Sequence, residues 1–250
     1  MRRHGDEIEV RELDEIEGAG DDVVVMIGNK IQLDLPVPVV RLDKSYPFET
    51  LRRDHEHSRV SINIPHPTPY LGRLRSPADR RRLFRWEVPR WCRDGRRVLV
   101  FGGSQSFYER LGVADVQAHL QDLVDRVRAA SQLPVAFRAK PNMARHLQPM
   151  RSAEAVDPFG FLRPILADVR CIVVEESAAA VEALLCGVPA VVLGEAPTKN
   201  ISSQDLAEVD RPRLAAANEV EALLNDLAYF NYSLAEHESG VTWEFLRRLI

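Results

Sequence analysis

Four short corners of this 250-residue chain carry side chains suited to binding a diphosphate. Gly102-Gly103-Ser104-Gln105 follows the apolar run RVLVF, and Arg138-Ala139-Lys140-Pro141 follows PVAF. Glu175-Glu176-Ser177 follows CIVV, and Gly194-Glu195-Ala196 follows AVVL. Adjacent glycines let backbone N–H groups approach an anion closely. Arg138 and Lys140 supply positive charge, and an arginine can grip a phosphate through two parallel N–H groups. Ser177 and Ala178 open a helical pattern, whose first N–H groups carry the positive end of the helix dipole. Glu182, one turn further, is placed to accept hydrogen bonds from ribose hydroxyls. Each group also has an ordinary role: Ser177 as a helix cap, Gly187 as a helix stop, Arg138 and Lys140 as a solvated strand end. The functional reading rests on convergence at one edge. It names Gly103, Ser104, Arg138, Lys140, Glu176, Ser177, Ala178 and Glu182 as the residues that would bind the diphosphate and its ribose.

Convergence requires a parallel sheet, and the pattern from residue 96 onward supplies one. Strands are expected at 97–101, 134–138, 171–174 and 190–193. Val113, Val116, Leu120, Val124 and Val127 form a helical stripe between the first two, and further helices are expected at 158–167, 178–186, around 220–227 and over 234–250. Alternating strands and helices imply right-handed crossovers, and ligands of such sheets bind at the carboxyl ends of the strands. Before residue 96, short strands are expected near 23–27, 35–42 and 58–64, with an extended loop at Pro65-His66-Pro67-Thr68-Pro69 and a helix from 76 to Pro89.

The net charge of −4 does not mark a nucleic-acid binder, but the charge is segregated. Residues 1–22 hold nine acids against three arginines and read as a solvated arm, whereas residues 73–97 hold ten arginines against three acids. An anionic partner suits the second segment. Trp86 and Trp91, interleaved with those arginines, suit stacking on a displaced base; the alternative is an amphipathic helix with its aromatics turned inward. Cys92, Cys171 and Cys186 have no metal or disulfide spacing and point to a reducing cytoplasm. No run approaches the length of a membrane span, and no signal peptide is legible.

The piece SAAAVEALLCGVPAVVLGEAP (177–197) resembles the donor-nucleotide motif of GT-B glycosyltransferases. Together with VAFRAKP (135–141) and LAYFNYSLAEHESGVTW (227–243), it makes residues 96–250 resemble bacteriophage-encoded DNA glycosyltransferases, which attach a sugar to a hydroxymethylated pyrimidine. The chain departs from that pattern at Ala178, where an asparagine is expected, at Asn231-Tyr232-Ser233, and at Val174, which stands where many GT-B enzymes carry a glutamate.

The resemblance implies an α/β, GT-B-like fold of two Rossmann-like halves with parallel sheets, the N-terminal half short. Residues 1–95 form the acceptor side and residues 96–250 the nucleotide-sugar domain. It implies a nucleotide-sugar donor, a UDP-sugar being expected, and hydroxymethylated DNA such as hydroxymethyluracil DNA as acceptor, in the cytoplasm of an infected host. No metal ligands are assigned. Transfer to a hydroxyl with inversion needs a group that takes the acceptor proton. Asp43, beyond a strand, and His66, in its proline-rich loop, are the candidates, with Asp54-His55-Glu56-His57 a further titratable cluster. A cell-surface polysaccharide acceptor, or a non-catalytic nucleotide- or DNA-binding module, are the alternatives.

Overall fold

The computed structural model describes Glu7 and residues 23–28, 35–46 and 57–250. The rest of the acidic arm and Asp54-His55-Glu56 lie outside the described residues. The first compact unit takes the described residues up to Pro67 and, from the far end of the chain, Phe230–Ile250; the second is Thr68–Tyr229. Residues 68–95, assigned from sequence to the acceptor side, therefore group with the second unit. Residues 230–250, assigned to the donor side, group with the first.

Strands β1 (Val24–Ile27), β2 (Val39–Lys44) and β3 (His57–Ile62) open the first unit. The chain then crosses into the second unit, through helix α1 (Asp79–Leu83), β4 (Arg97–Phe101), α2 (Gln105–Arg110), α3 (Val116–Ala130), β5 (Val135–Arg138) and β6 (Glu154–Ala155). There follow α4 (Leu162–Leu166), β7 (Val169–Val174), α5 (Ala179–Leu185), β8 (Ala190–Val192) and α6 (Ala217–Ala228). The return to the first unit brings β9 (Asn231–Ser233), α7 (Leu234–Ser239) and α8 (Val241–Leu246).

The sheet of the second unit has the order β6-β5-β4-β7-β8, every pair parallel. Strand β4 shows why an uninterrupted apolar run forms it. Val98 and Val100 face a cluster with Tyr108 of α2 and Leu120, Leu123, Val124 and Val127 of α3. Leu99 and Phe101 face the opposite cluster, with Leu162 and Leu166 of α4 and Ala180 and Ala183 of α5. Alternate side chains thus enter two cores, so both must be apolar. Helix α3 starts where Asp115 accepts the Ala118 N–H at 2.9 Å, and α2 where Ser104 accepts the Phe107 N–H at 3.2 Å.

The α/β class stands, but the sheet of the first unit is mixed rather than parallel. Its order is β1-β2-β3-β9; β1 pairs with β2 in parallel, while β2–β3 and β3–β9 are antiparallel. An antiparallel pair can be joined directly, whereas a parallel pair needs a crossover connection. The C-terminal helix expected over 234–250 is two helices. Gly240, at φ 87°, ends α7 and begins α8. The helix expected from 76 to Pro89 is only α1, because the chain turns at Arg85, φ 54°. Helix α2 and strands β6 and β9 were not foreseen.

Gly187 ends α5 at φ +74°, and a Cβ there would strike the carbonyl of Arg90. Gly187→Ala is expected to cost at least about 2 kcal/mol in urea unfolding, combining left-handed backbone strain with that clash. Gly112→Ala, at φ +66° but in open space, should lose only about 1 kcal/mol.

Candidate functional site

The chain order of the parallel sheet reverses between β4 and β7, which are neighbours. Such a reversal leaves a crevice at the carboxyl ends, because the connections leave on opposite faces. Gly102–Ser104 leave β4 on one side of it, and Glu175–Ala178 leave β7 on the other. Arg138 ends β5 next to β4, and Gly194 follows β8 next to β7. The topology thus places Gly103, Ser104, Arg138, Lys140, Glu176, Ser177 and Ala178 along one edge, as the sequence implied, with Glu182 in the first turn of α5.

The detailed contacts reassign several of these groups. The Gly103 N–H is not open to a phosphate here; it donates to Tyr108 Oη at 2.7 Å. Glycine is needed at this position for packing, since a Cβ would lie 2.5 Å from the Phe107 ring. Ser104 caps α2. Ser177 Oγ accepts the Ala179 N–H at 3.2 Å, while Ala178 takes the cap position itself. Arg138 turns its guanidinium onto main-chain carbonyls, reaching Asp157 O at 3.1 Å, Pro158 O at 3.2 Å and Gly160 O at 2.6 Å. It pins a loop whose Phe159 and Phe161 are exposed. Lys140 is exposed, and its carbonyl accepts the N–H groups of Met143 and Ala144.

Three residues not foreseen as functional organise the crevice. Arg110 Nη2 holds both oxygens of Glu176, at 2.6 and 2.8 Å. His119 Nε2 lies 2.8 Å from Glu175 Oε1, and Tyr108 Oη lies 3.5 Å from Glu175 Oε2. Burial pushes the Tyr108 phenol well above its ordinary value, and the Glu175 charge adds to this. Tyr108 therefore remains a neutral hydroxyl that accepts from Gly103 and faces a carboxylate. Nothing in the sequence marks these pairings, because His119 is 56 residues from Glu175 and Arg110 is 66 from Glu176.

Asp43 and His66 belong to the first unit. Asp43 Oδ2 accepts from Arg59 Nη2 at 2.6 Å, and the Arg59 guanidinium lies 5.0 Å from the centre of the Tyr46 ring. Tyr46 Oη is hydrogen-bonded to Nδ1 of buried His66, and the Tyr46 N–H donates to Asn231 Oδ1 at 2.9 Å. Both candidate bases thus converge on Tyr46 and Arg59, which the sequence did not single out. Nearby, Ser58 Oγ lies 2.6 Å from His237 Nε2, and burial lowers the His237 imidazole below its ordinary value.

The aromatic residues of the Arg-rich segment do not form a stacking platform. Trp86 is buried, with its ring stacked on Phe84 at 5.0 Å, and Trp91 Nε1 donates to Ala215 O at 2.9 Å. Packing demand outweighs display for so large an apolar surface. Arg81 is also structural, bonded to Asn225, Glu221 and Trp86 O. Arg73, Arg75, Arg82, Arg85, Arg90 and Arg93 are exposed. The 227–243 piece is structural in the same way. Tyr229 Oη donates to Asp79, Asn231 is buried, Ser233 and Glu236 form a capping box, and Trp243 is buried. Among the described residues no three His, Cys, Asp or Glu side chains gather to hold a metal, and all three cysteines are free.

No protein-family model matches the chain, and a comparison with curated proteins finds no match. Solved structures are similar in fold. The Thermosulfurimonas dismutans KpsC β-Kdo 2,7 transferase matches over 95% of this chain and 91% of its own, at 16% identity and a TM-score of 0.54. The β-Kdo 2,4 transferase of the same KpsC matches over 58% of this chain and about half of its own (49%), at 18% identity and a TM-score of 0.38. At this identity the first match establishes a shared fold: α/β and GT-B-like.

Tyr108→Phe keeps the ring but removes the acceptor of a buried N–H. It is expected to cost about 1–3 kcal/mol in chemical denaturation.

Proposed function

We propose that this chain is a glycosyltransferase that moves a sugar from a nucleotide-sugar donor to a hydroxymethylated pyrimidine of phage DNA. The observation that carries sugar transfer is the crevice between β4 and β7, set in a chain-long fold shared with a solved sugar transferase. A fold alone does not define an activity, so the reading leans on the groups at that edge. Lys140 brings charge to the leaving diphosphate, whose departure is assisted by any cation that neutralises it. Arg138 shapes the neighbouring loop. Asp43 or His66 is the group proposed to take the acceptor proton. A UDP-sugar is the expected donor.

DNA as acceptor is supported by the sequence resemblance over residues 96–250 and by the exposed arginines between Arg73 and Arg93, which suit phosphate contacts. A polysaccharide acceptor is the second reading, favoured by the name of the solved neighbour, a Kdo transferase. Structural roles for Trp86, Trp91 and the 227–243 piece remove part of the argument against it.

Nucleoside mass spectrometry separates the two. Hydroxymethyluracil and hydroxymethylcytosine DNA, and in parallel acidic oligosaccharides, are incubated with a panel of nucleotide sugars, with and without Mg²⁺. The expected result is a gain of one sugar mass on a single modified nucleoside; a gain on the oligosaccharide alone overturns the DNA acceptor. Lys140→Ala should lower turnover by about 10- to 100-fold with an unchanged circular-dichroism spectrum, the loss of one charge-assisted contact. Unchanged turnover removes Lys140 from the site.

A further inference from the structure

We propose that the opposite, N-terminal edge of the same sheet holds a second anion site, in which Arg93, Arg170 and Arg211 bind a phosphoryl group. The three arginines line a cavity of about 170 Å³ together with Cys92, Pro189 and Leu214. Arg170 is the second residue of β7, and Pro189 immediately precedes β8. The cavity is therefore at the end of the strands remote from Glu175 and Gly194, and it does not depend on the sugar-transfer reading.

The charge balance of the cavity is one-sided, since no carboxylate lines it. The acids nearest in sequence are engaged elsewhere or do not line it. Asp168 pairs with Arg96 at 3.0 Å, Asp210 accepts from Ser131 Oγ and the Gln132 N–H, and Glu208 accepts from Ser203 Oγ; Asp94 is not part of the lining. Among the described residues, neither Arg93 nor Arg211 has a side-chain hydrogen bond or ion pair. Three arginines lining one cavity with no carboxylate concentrate positive charge there, and the planar N–H forks of arginine match phosphoryl oxygens.

The walls are also fixed. The Cys92 N–H donates to Gly187 O at 2.7 Å. Gly95 runs so close to the backbone of Val169 and Arg170 that a Cβ could not be accommodated. Arg93 lies between these two anchors, and its carbonyl accepts from the Arg170 guanidinium. The Trp91 indole bonded to Ala215 O ties the segment after Arg211 to the same linker. The arginines are thus set on anchored backbone, which lowers the ordering cost of binding.

Cys92 supplies a reporter inside the cavity. Cys171 is fully buried, its thiol pushed up to about 12 by burial, and Cys186 does not line the cavity. Alkylation by the neutral reagent N-ethylmaleimide is followed at each cysteine by peptide mass spectrometry at constant ionic strength. Saturating inorganic phosphate should slow Cys92 several-fold and leave Cys186 unchanged, and Arg93→Gln/Arg211→Gln should abolish the protection. A DNA duplex without terminal phosphates is the second arm. Protection by duplex and phosphate alike makes the ligand a phosphodiester backbone; protection by phosphate alone makes it a small phosphorylated molecule. An unchanged Cys92 rate with both, or equal protection in the double variant, overturns the site. Should Cys92 resist alkylation, the thermal midpoint decides: a phosphate-dependent rise present in the native chain and lost in the double variant supports the site, and equal rises overturn it. A Lys140→Ala chain retains the effect, which separates this cavity from the donor edge.

Discussion

Strand β4 is hydrogen-bonded on both sides, to β5 and to β7, and it is the point from which the chain winds first one way and then the other. This arrangement demands that its side chains be apolar on both faces. It sends α2 and α3 to one face and α4 and α5 to the other, and leaves a crevice where the two windings part. The glycines and charged corners at that crevice are functional candidates because of where β4 puts them. Elsewhere in a chain the same residues would be ordinary turns and caps.

The crevice is an electrostatic compromise. Two consecutive glutamates at its mouth would repel a diphosphate. Arg110 and His119 meet them from the adjoining helices, and the neutral Tyr108 hydroxyl links one of them to the backbone of Gly103. The acidic turn is thereby bound into the wall of the sheet, while the exposed Lys140 stands at the end of the neighbouring strand. Arg138 holds a loop through its main-chain carbonyls, and two exposed phenylalanines stand on that loop.

The core elements were legible because they obey one local rule each. Runs such as RVLVF and CIVV are strands buried on both faces, and the valine and leucine stripe after Asp115 is a helix with one buried side. Strand direction in the first unit was not legible, since an apolar run reads the same whichever way its neighbour points. Helix α2 was missed because six residues with one buried aromatic pair make no stripe. Strand β9 was missed because three residues make no alternation. The edge that gathers the candidate site could be inferred from the alternation of strands and helices, which implies a parallel sheet. The pairings within it, and the junction of Asp43 and His66 through Arg59 and Tyr46, arise only in three dimensions, between residues too far apart in sequence for spacing to carry information.

The first unit is interrupted by the second: its last strand, β9, is made only after all of residues 68–229. Until then β3 has β2 on one side and an open ladder of N–H and C=O groups on the other. The second unit has all five of its strands in hand before β9 emerges from the ribosome. The order of synthesis therefore favours closing the parallel sheet first and sealing the mixed sheet last. The hydrogen bond from the Tyr46 N–H to Asn231, which joins the first unit's early segment to β9, therefore forms after the strands of the second unit have been made.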